Sequence, residues 1–254
     1  MHRPGGRGPG AGARYHGGMS VDELSSAAQD YLKLIWSATE WTDQPMTVSR
    51  LAERLGIRPA TASDGIRRLT AQGLVEHRPY GSIELTEEGR RHAIQMVRRH
   101  RLLETFLVDV LGYGWDEVHD EAELLEHTVS DAFVERLDVK LGRPRRDPHG
   151  DPIPTSDGSV HYPVAHRLDQ LDDGHPGRLV RVSDADPAVL RLLDRHGIGL
   201  DDDLLARRGE DTVVAVRRDV PGAPDLPLEE GLAGALWIES TSPHEGCTVL
   251  DGER

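Results

Sequence analysis

The fold is decided by the stretch TVSRLAERLGIRPATASDGIRRLTAQGLVEHRPYGSIELT, residues 47–86. Thr47 is a suitable N-cap for a first helix that Gly56 closes, and a second helix over ATASDGIRRLTAQG ends at Gly73. LVEHR and IELT then have the character of short strands on either side of a turn that contains Gly81. Two helices followed by a two-stranded wing predict a winged helix-turn-helix, which is a DNA-binding module.

The charge of the chain is distributed unevenly, which the net charge of −14 conceals. Between Arg50 and Arg101 there are eleven Arg, no Lys and six acidic residues, whereas the rest has 19 basic and 38 acidic residues. A basic segment attached to an acidic body favours DNA binding over a helix pair that serves only for dimerisation. We expect contacts to bases and phosphates from seven side chains on the second helix and the wing: Arg58, Thr61, Ser63, Asp64, Arg67, Arg68 and Tyr80.

Helical patterns flank the winged module on both sides. LSSAAQDYLKLIWSATEW, residues 24–41, has apolar side chains at helical spacing. A long helix is expected to begin at Glu87, after a cap at Thr86, and to run to about Val110. A single further helix is predicted over about 115–140, because its apolar residues keep a steady helical period.

The C-terminal part has a different pattern. Beyond residue 175, RLVRVS, DDLLARR, DTVVAVRR and ALWIE are typical of short strands, with PAVLRLLDRHG as a brief helix, and predict a small SH3-like barrel. No apolar run reaches 18 residues, so no membrane span is expected. The Gly-, Pro- and Arg-rich opening lacks a secretory signal, and the single Cys247 cannot form an internal disulfide, so we expect a cytoplasmic protein.

The segment HDEAELLEH, residues 119–127, places two histidines and four acids around a Leu-Leu pair. A solvated helix face explains each charged residue taken singly. Taken together, however, several of them share one helix face at i, i+3 and i+4, and the preceding helix repeats the i, i+4 pairing. We therefore predict a metal site built from His119, Glu123, Glu126 and His127, with His100, Glu104 and Asp30 as further ligands.

The ligand set contains only nitrogen and oxygen donors. Such a set suits Mn²⁺ and Fe²⁺ and, less selectively, Zn²⁺ or Co²⁺, and the absence of Cys and Met favours Mn²⁺. A different class of protein, a carboxylate-bridged di-metal oxidase in a helical bundle, would use Glu-x-x-His on two helices. Glu-x-x-Glu-His occurs here once, and a zinc hydrolase is less favoured still because no His-Glu-x-x-His is present.

The chain resembles the metal-dependent repressors typified by the diphtheria toxin repressor. It is most similar to manganese transport regulators of the longer, actinobacterial type with a C-terminal SH3-like domain. The resemblance extends from about residue 24 to 154 and is carried by AQDYLKLIW, RPATASDGIRRLTAQGLVEH, VRRHRLLETFL, VHDEAELLEH and RDPHGDPIP. It implies a homodimer that binds a palindromic operator in double-stranded DNA when loaded with about two metal ions per chain, and that represses metal-uptake genes. It implies no enzymatic activity and no small-molecule substrate.

The resemblance also assigns the ligands to two sites. It implies a primary site at Asp30, Glu123, Glu126 and His127, and an ancillary site at His100, Glu104 and His119. Iron-sensing members have Met and Cys where this chain has Asp30 and Glu123, so manganese is the expected metal and iron the alternative. Short manganese regulators have a further acid where Lys33 stands, and in longer members the β-rich domain supplies ligands instead, here Asp184 and Asp186.

These patterns predict a mainly α fold with a small β-rich end. The expected order is a disordered leader at 1–22, a winged helix-turn-helix domain at 23–90, a helical dimerisation and metal-binding domain at 91–154, a linker at 155–175 and an SH3-like domain at 176–254. Metal binding is expected to fix the spacing of the two recognition helices in the dimer.

Overall fold

A computed structural model describes residues 21–41, 44–78, 81–209, 212–217, 220, 222 and 224–240. The chain divides into two compact units, Met1–His92 and Ala93–Arg254. Tyr80 and Cys247 lie outside the described residues, as does the predicted leader up to residue 20. Val21–Glu23 form a short 3-10 helix with Val21 buried, so regular structure begins before residue 23. No helix in the described part of the chain is long and apolar enough to cross a membrane.

The first unit is the predicted winged helix-turn-helix. Its described residues form the α-helices α1 (Ser26–Glu40), α2 (Val48–Arg54) and α3 (Pro59–Ala71) and the antiparallel strands β1 (Val75–His77) and β2 (Ile83–Leu85). Thr47 caps α2 as expected, because its side chain accepts a hydrogen bond from the backbone N–H of Arg50. The core of the unit consists of fully or almost fully buried apolar side chains, among them Leu32, Ile35, Leu51, Ile66, Leu69 and Leu74.

Gly65 allows α1 and α3 to approach closely. A Cβ atom at this position would lie 2.0 Å from a ring carbon of Tyr31, which is far inside van der Waals contact. The buried ring of Tyr31 therefore occupies the space that any larger residue at position 65 would need. The close packing of the two helices, rather than backbone conformation, requires glycine here.

We expect Gly65→Ala to destabilise the first unit by about 1–3 kcal/mol, because the added methyl group overpacks the contact with Tyr31. Thermal unfolding followed by circular dichroism measures this change. Ser63→Ala, at an exposed position of the same helix, should leave the unfolding temperature almost unchanged. Equal unfolding temperatures for wild type and Gly65→Ala would show that Tyr31 moves aside at no cost.

The second unit begins with a helical part, which contains most of the long helix α4 (Glu87–Leu111) and the shorter helices α5 (Val118–Glu126) and α6 (Asp131–Lys140). The expectation of one continuous helix over 115–140 was wrong, because the chain leaves the helix after Glu126 and a new helix starts at Asp131. Ser130 has extended backbone angles and its side chain accepts from the N–H of Phe133, so it caps α6.

The β-rich part is a six-stranded antiparallel sheet with the order β3-β8-β4-β5-β6-β7. Its elements are β3 (His166–Arg167), β4 (His175–Val182), α7 (Pro187–Arg195), β5 (Asp203–Arg208), β6 (Thr212–Arg217), β7 (Leu226–Glu229), α8 (Glu230–Ala233) and β8 (Leu236–Ser240). The predicted linker at 155–175 contains β3, and Leu168 and Leu171 are buried in the core of this sheet. Structure belonging to the sheet therefore begins earlier in the chain than residue 176.

Three of the arginines counted with the basic segment are not available to DNA. Arg98, Arg99 and Arg101 lie on α4 in the second unit and are at most 7% exposed. Arg98 pairs with Asp138 at 3.0 Å, and Arg99 pairs with Asp131 at 2.7 Å. The sequence count therefore overstated the basic surface, because charge in a sequence does not show which side chains are paired and buried.

Candidate metal centre

The buried face of α4 provides one wall of the site. His100 and Glu104 are one helical turn apart, and the two atoms His100 Nε2 and Glu104 Oε1 are 3.0 Å apart. The other ring nitrogen of His100, Nδ1, lies 2.6 Å from Glu126 Oε2 on α5. His100 thus lies between two carboxylates that belong to different helices.

The end of α5 brings three of the predicted primary ligands together. Glu123, Glu126 and His127 each offer a ligand atom, and these atoms lie within 4.8 Å of one another. His127 is the residue at which α5 ends, and Arg99 Nη1 donates to the backbone carbonyl of Glu126 at 3.2 Å. Because α5 ends at this residue, the end of the helix determines the position of the His127 side chain.

A second group joins α4, α5 and the loop after β4. His119 Nδ1 lies 3.4 Å from Glu104 Oε1 and 3.0 Å from Asp184 Oδ2. His119 Nε2 lies 3.6 Å from Glu123 Oε1, so this ring adjoins the primary group as well. Asp184 thus lies with the predicted ancillary ligands, all within the second unit.

Asp186 lies elsewhere. Its side chain accepts a hydrogen bond of 2.9 Å from the N–H of Ala188 and caps α7. It does not belong to any of the ligand groups that the described residues form. The sequence alone made Asp184 and Asp186 equally good candidate ligands. In the structure Asp186 caps α7, whereas Asp184 faces His119.

A third group was not anticipated from the sequence. Glu104, Asp147 and His149 are all buried, and their ligand atoms also lie within 4.8 Å of one another. Asp147 and His149 belong to RDPHGDPIP, a segment that carried the family resemblance without any assigned ligand. A loop has no helical or strand period, so spacing alone could not have identified them.

Asp30 lies on α1 in the first unit and is half-buried. Its role as a primary ligand stays a prediction.

The second-unit residues fit a hard divalent cation. Their donors are carboxylate oxygens and imidazole nitrogens, the set that suits Mn²⁺ and Fe²⁺. His119 Nδ1 is buried and makes no hydrogen bond of normal geometry, although two carboxylate oxygens lie close to it. A buried nitrogen close to two carboxylate oxygens, without a hydrogen bond of normal geometry to either, is an arrangement that suits a bound cation.

The electrostatics of the group are set by burial and by the histidines. Burial alone would raise the pKa of Glu104, but the imidazoles of His100 and His119 outweigh it and hold this pKa well below its usual value. Burial likewise opposes ionisation of His119, yet the close approach of the Asp184 and Glu104 carboxylates raises its pKa to about 10. Burial, followed by the nearby charges of Asp151 and Glu104, raises the pKa of Asp147 to about 8.

We expect metal affinity at the His119 group to rise about tenfold per pH unit between pH 6 and 8. The imidazole carries a proton below its raised pKa of about 10, so each ion that binds must release that proton. Glu104 is already ionised in this pH range, so it does not add to the change in metal affinity with pH. Calorimetry in buffers of different ionisation enthalpy counts the released protons. His119→Gln should release about one proton fewer per chain, and an equal count in both proteins would contradict the assignment.

The DNA-facing candidates occupy one surface of the first unit. Arg58, at the N-cap of α3, and Thr61, Ser63, Asp64, Arg67 and Arg68 within it are all exposed. Arg67 pairs with Asp64 at 2.9 Å across one turn of the helix. The exposed side chains of α3 therefore include small hydroxyls, arginines and one carboxylate, while its buried residues pack into the core.

Two family models match the chain. "Iron dependent repressor, N-terminal DNA binding domain" matches residues 23–83, and "Iron dependent repressor, metal binding and dimerisation domain" matches residues 86–155. Together they cover more than half of the sequence. The chain belongs to the diphtheria toxin repressor family of iron-dependent repressors.

Members of this family resemble the chain over most of its length. It is 34% identical to "Iron-dependent repressor IdeR" of Mycobacterium tuberculosis over 86% of this chain and 99% of the relative. A solved structure described as "Manganese-dependent transcriptional repressor complex with manganese" is 50% identical, with a TM-score of 0.80, over 84% of this chain and 99% of the other. "Structure of the manganese regulator SloR" has 30% identity and a TM-score of 0.70 over 84% of this chain and 98% of the other.

Membership of this family confirms the predicted class of function. The diphtheria toxin repressor family consists of metal-dependent transcriptional repressors that bind DNA and dimerise, not of enzymes. The di-metal oxidase, the alternative from another class of protein, is thereby excluded. The mainly α fold with an N-terminal DNA-binding domain and a C-terminal SH3-like sheet is confirmed as well.

Proposed function

We propose that this chain is a manganese-responsive repressor that acts in the cytoplasm as a homodimer on a palindromic operator. The observation that carries the choice of metal is Glu123, a carboxylate beside Glu126 and His127 where the resemblance gives iron-sensing members a Cys. Oxygen and nitrogen donors favour Mn²⁺ over softer ions on chemical grounds. The 50% identity to a repressor in complex with manganese supports the same choice.

We assign the second-unit residues to two ion positions per chain. Glu123, Glu126 and His127 form the primary position, for which the resemblance supplies Asp30 as a fourth ligand. His100, Glu104, His119 and Asp184 form the ancillary position. A bound cation would neutralise clustered carboxylates and hold their helices in one arrangement.

Residues around these positions hold the proposed ligands in place. His100 keeps Glu126 oriented through a contact of 2.6 Å, and Arg99 fixes the carbonyl at the end of α5. Asp184 connects the β-rich part to the ancillary position, because it lies two residues after the end of β4 and 3.0 Å from His119. The ligands of this position therefore depend on both parts of the second unit.

Homodimerisation is supported by apolar side chains on the helices of the second unit. Leu124 on α5 is 72% exposed, Val139 on α6 is 61% exposed, and Phe133 on α6 is 44% exposed. Large apolar groups in contact with water favour association. Two copies would present two α3 helices, which suits two major-groove half-sites of a palindrome.

The test is fluorescence anisotropy with metal-free protein and duplex DNA from upstream of its own gene and of nearby metal-transporter genes. Mn²⁺ and, under anaerobic conditions, Fe²⁺ are titrated separately. We expect micromolar Mn²⁺ to switch binding on and Fe²⁺ to require more. Equal responses would favour the iron-dependent alternative, and DNA binding that is unaffected by either ion would overturn the proposed function.

A further inference from the structure

A cavity of about 800 Å³ lies in the second unit between the end of α6, the loop that follows this helix and the β-rich part. Sites for small organic ligands usually have volumes of roughly 300–1,000 Å³. None of the residues in the ligand groups described above lines the cavity, so it is separate from the candidate metal centre. We call it the arginine cavity after the five arginines in its walls: Arg98, Arg143, Arg145, Arg146 and Arg178.

The acids in the walls are all used by three of these arginines. The pairs are Arg98 with Glu135 at 3.1 Å and with Asp138 at 3.0 Å, Arg146 with Asp201, and Arg178 with Glu239. These ion pairs connect α6 to α4, and the loop to the β-rich part. They hold the walls together and leave no carboxylate of the cavity lining for the remaining two arginines.

Those two arginines give the cavity an excess of positive charge. The side chains of Arg143 and Arg145 are exposed and make no hydrogen bond or ion pair with any residue that the structure describes. Two guanidinium groups beside the same cavity repel each other, and an anion bound by both would remove this repulsion. The planar N–H donors of a guanidinium also match the oxygens of phosphate and carboxylate groups.

The backbone of Arg143 is held in a conformation that favours glycine. α6 ends with two hydrogen bonds, from the N–H of Gly142 to the carbonyl of Val139 at 3.2 Å and from the N–H of Arg143 to the carbonyl of Asp138 at 2.8 Å. Gly142 has a φ of +81°, but Arg143 follows it with a φ of +59°. A side chain at such a position is strained, whereas glycine would not be.

A second strained residue lies in the same cavity. Asp201 has a φ of +70°, and it and Arg143 are the non-glycine residues with positive φ in the described part of the chain. Both line the arginine cavity. Strained backbone is concentrated at functional sites, where the side chain is needed in spite of its cost. This coincidence therefore distinguishes Arg143 from an ordinary surface arginine.

The loop that carries Arg145 is fixed by backbone contacts. The N–H of Ile153 donates to the carbonyl of Arg145 at 2.9 Å. Gly150 has a φ of +92°, and a Cβ atom there would lie 2.1 Å from the carbonyl oxygen of Val180 on β4. The N–H of Val182 donates to the carbonyl of the residue before Gly150 at 2.9 Å. The cavity is therefore formed by the fold before any ligand arrives.

The rest of the wall suits the organic part of a ligand. Ile153 and Val180 are buried apolar residues that line it, together with several prolines. Tyr162 lines it as well and is 41% exposed, so its ring offers a face on which a flat group can stack. A few charged groups beside a mainly apolar wall are typical of small-molecule sites.

We propose that the arginine cavity binds a small organic phosphate of about mononucleotide size. The guanidinium groups of Arg143 and Arg145 bind the phosphate, and its organic part packs against Tyr162, Ile153 and Val180. Phosphate is favoured over a carboxylate because it has three oxygens to share between two guanidinium groups. The proposal does not rest on the metal or on the proposed function.

The test is calorimetric titration of the metal-free full chain with the four ribonucleoside 5′-monophosphates, with inorganic phosphate and with citrate. Metal-free protein is used so that no anion binds through a metal ion. We expect at least one nucleotide to bind more tightly than both inorganic phosphate and citrate. Arg143→Gly and Arg145→Ala should each weaken this binding by about tenfold or more. Arg136→Ala removes an exposed arginine of α6 outside the cavity and should bind as wild type does.

Thermal unfolding of the same variants separates a binding role from a structural one. Because glycine relieves the left-handed backbone at position 143, Arg143→Gly should unfold at the wild-type temperature or above it while it loses ligand affinity. Absence of nucleotide binding to the wild type would overturn the proposal, as would tighter binding of citrate than of every nucleotide. Equal weakening in Arg136→Ala would show attraction to general positive charge and would overturn it as well.

Discussion

Glu126→Gln is expected to abolish DNA binding at Mn²⁺ concentrations that saturate the wild-type protein. Glu126 is fully buried, lies beside His127 and also contacts His100 at 2.6 Å, so its charge serves the primary ligands and the neighbouring histidine together. The amide is a weaker ligand and has no charge to neutralise the ion. Because even the loss of outer-sphere partners costs about 10–100-fold in metal affinity, we expect a loss of about 100-fold or more for this ligand.

The measurement is the Mn²⁺ concentration that gives half-maximal anisotropy with operator DNA. Glu121→Gln is the matched control, because it makes the same chemical change on the same helix outside the ligand groups. It should respond to Mn²⁺ as wild type does. A Glu126→Gln variant that is folded by circular dichroism and switches at the wild-type concentration would remove Glu126 from the primary position.

Glu123→Cys is expected to shift the metal preference of the repressor from Mn²⁺ towards Zn²⁺. A thiolate is a softer ligand than a carboxylate, so affinity for Mn²⁺ should fall while affinity for Zn²⁺ and Fe²⁺ is maintained or rises. We expect the ratio of the Mn²⁺ and Zn²⁺ dissociation constants to shift by about 100-fold. Glu123 is 37% exposed at its side chain, so the substitution should leave the core undisturbed.

Competition between the two ions for the metal-free protein, followed with a chromogenic chelator, measures this ratio. Asp120→Cys introduces the same thiol at an exposed position of α5 and should leave the ratio unchanged. If both cysteine variants shift equally, the effect belongs to the thiol alone. An unchanged ratio in Glu123→Cys would remove Glu123 from the ligand set and weaken the manganese assignment.

The first unit was predictable because its signals are local. Thr47 caps α2 and Thr86 accepts from the N–H of Gly89 at the start of α4, both as expected. Helix caps and periods depend on a few neighbouring residues, so a sequence reveals them. The same holds for the i, i+4 ligands on α4 and α5, which the fold places side by side.

The errors arose where distant contacts decide the structure. The break between α5 and α6 is stabilised by Arg99, which binds the carbonyl of Glu126 from another helix and is invisible to a periodic apolar pattern. Asp147 and His149 meet Glu104 only through loop packing against β4. The short strand β3 was overlooked because two residues carry no recognisable alternation.

The position of His100 has a consequence for how sharply the regulator responds. Its two nitrogens face Glu104 and Glu126, so an ion held by Nε2 in the proposed ancillary position would leave Nδ1 to carry the proton and donate it to Glu126. An ion in the proposed ancillary position would then orient a ligand of the proposed primary position, and binding at one position would favour binding at the other. The repressor should behave as a threshold detector, with operator occupancy that rises over a narrower range of manganese than a single independent site allows.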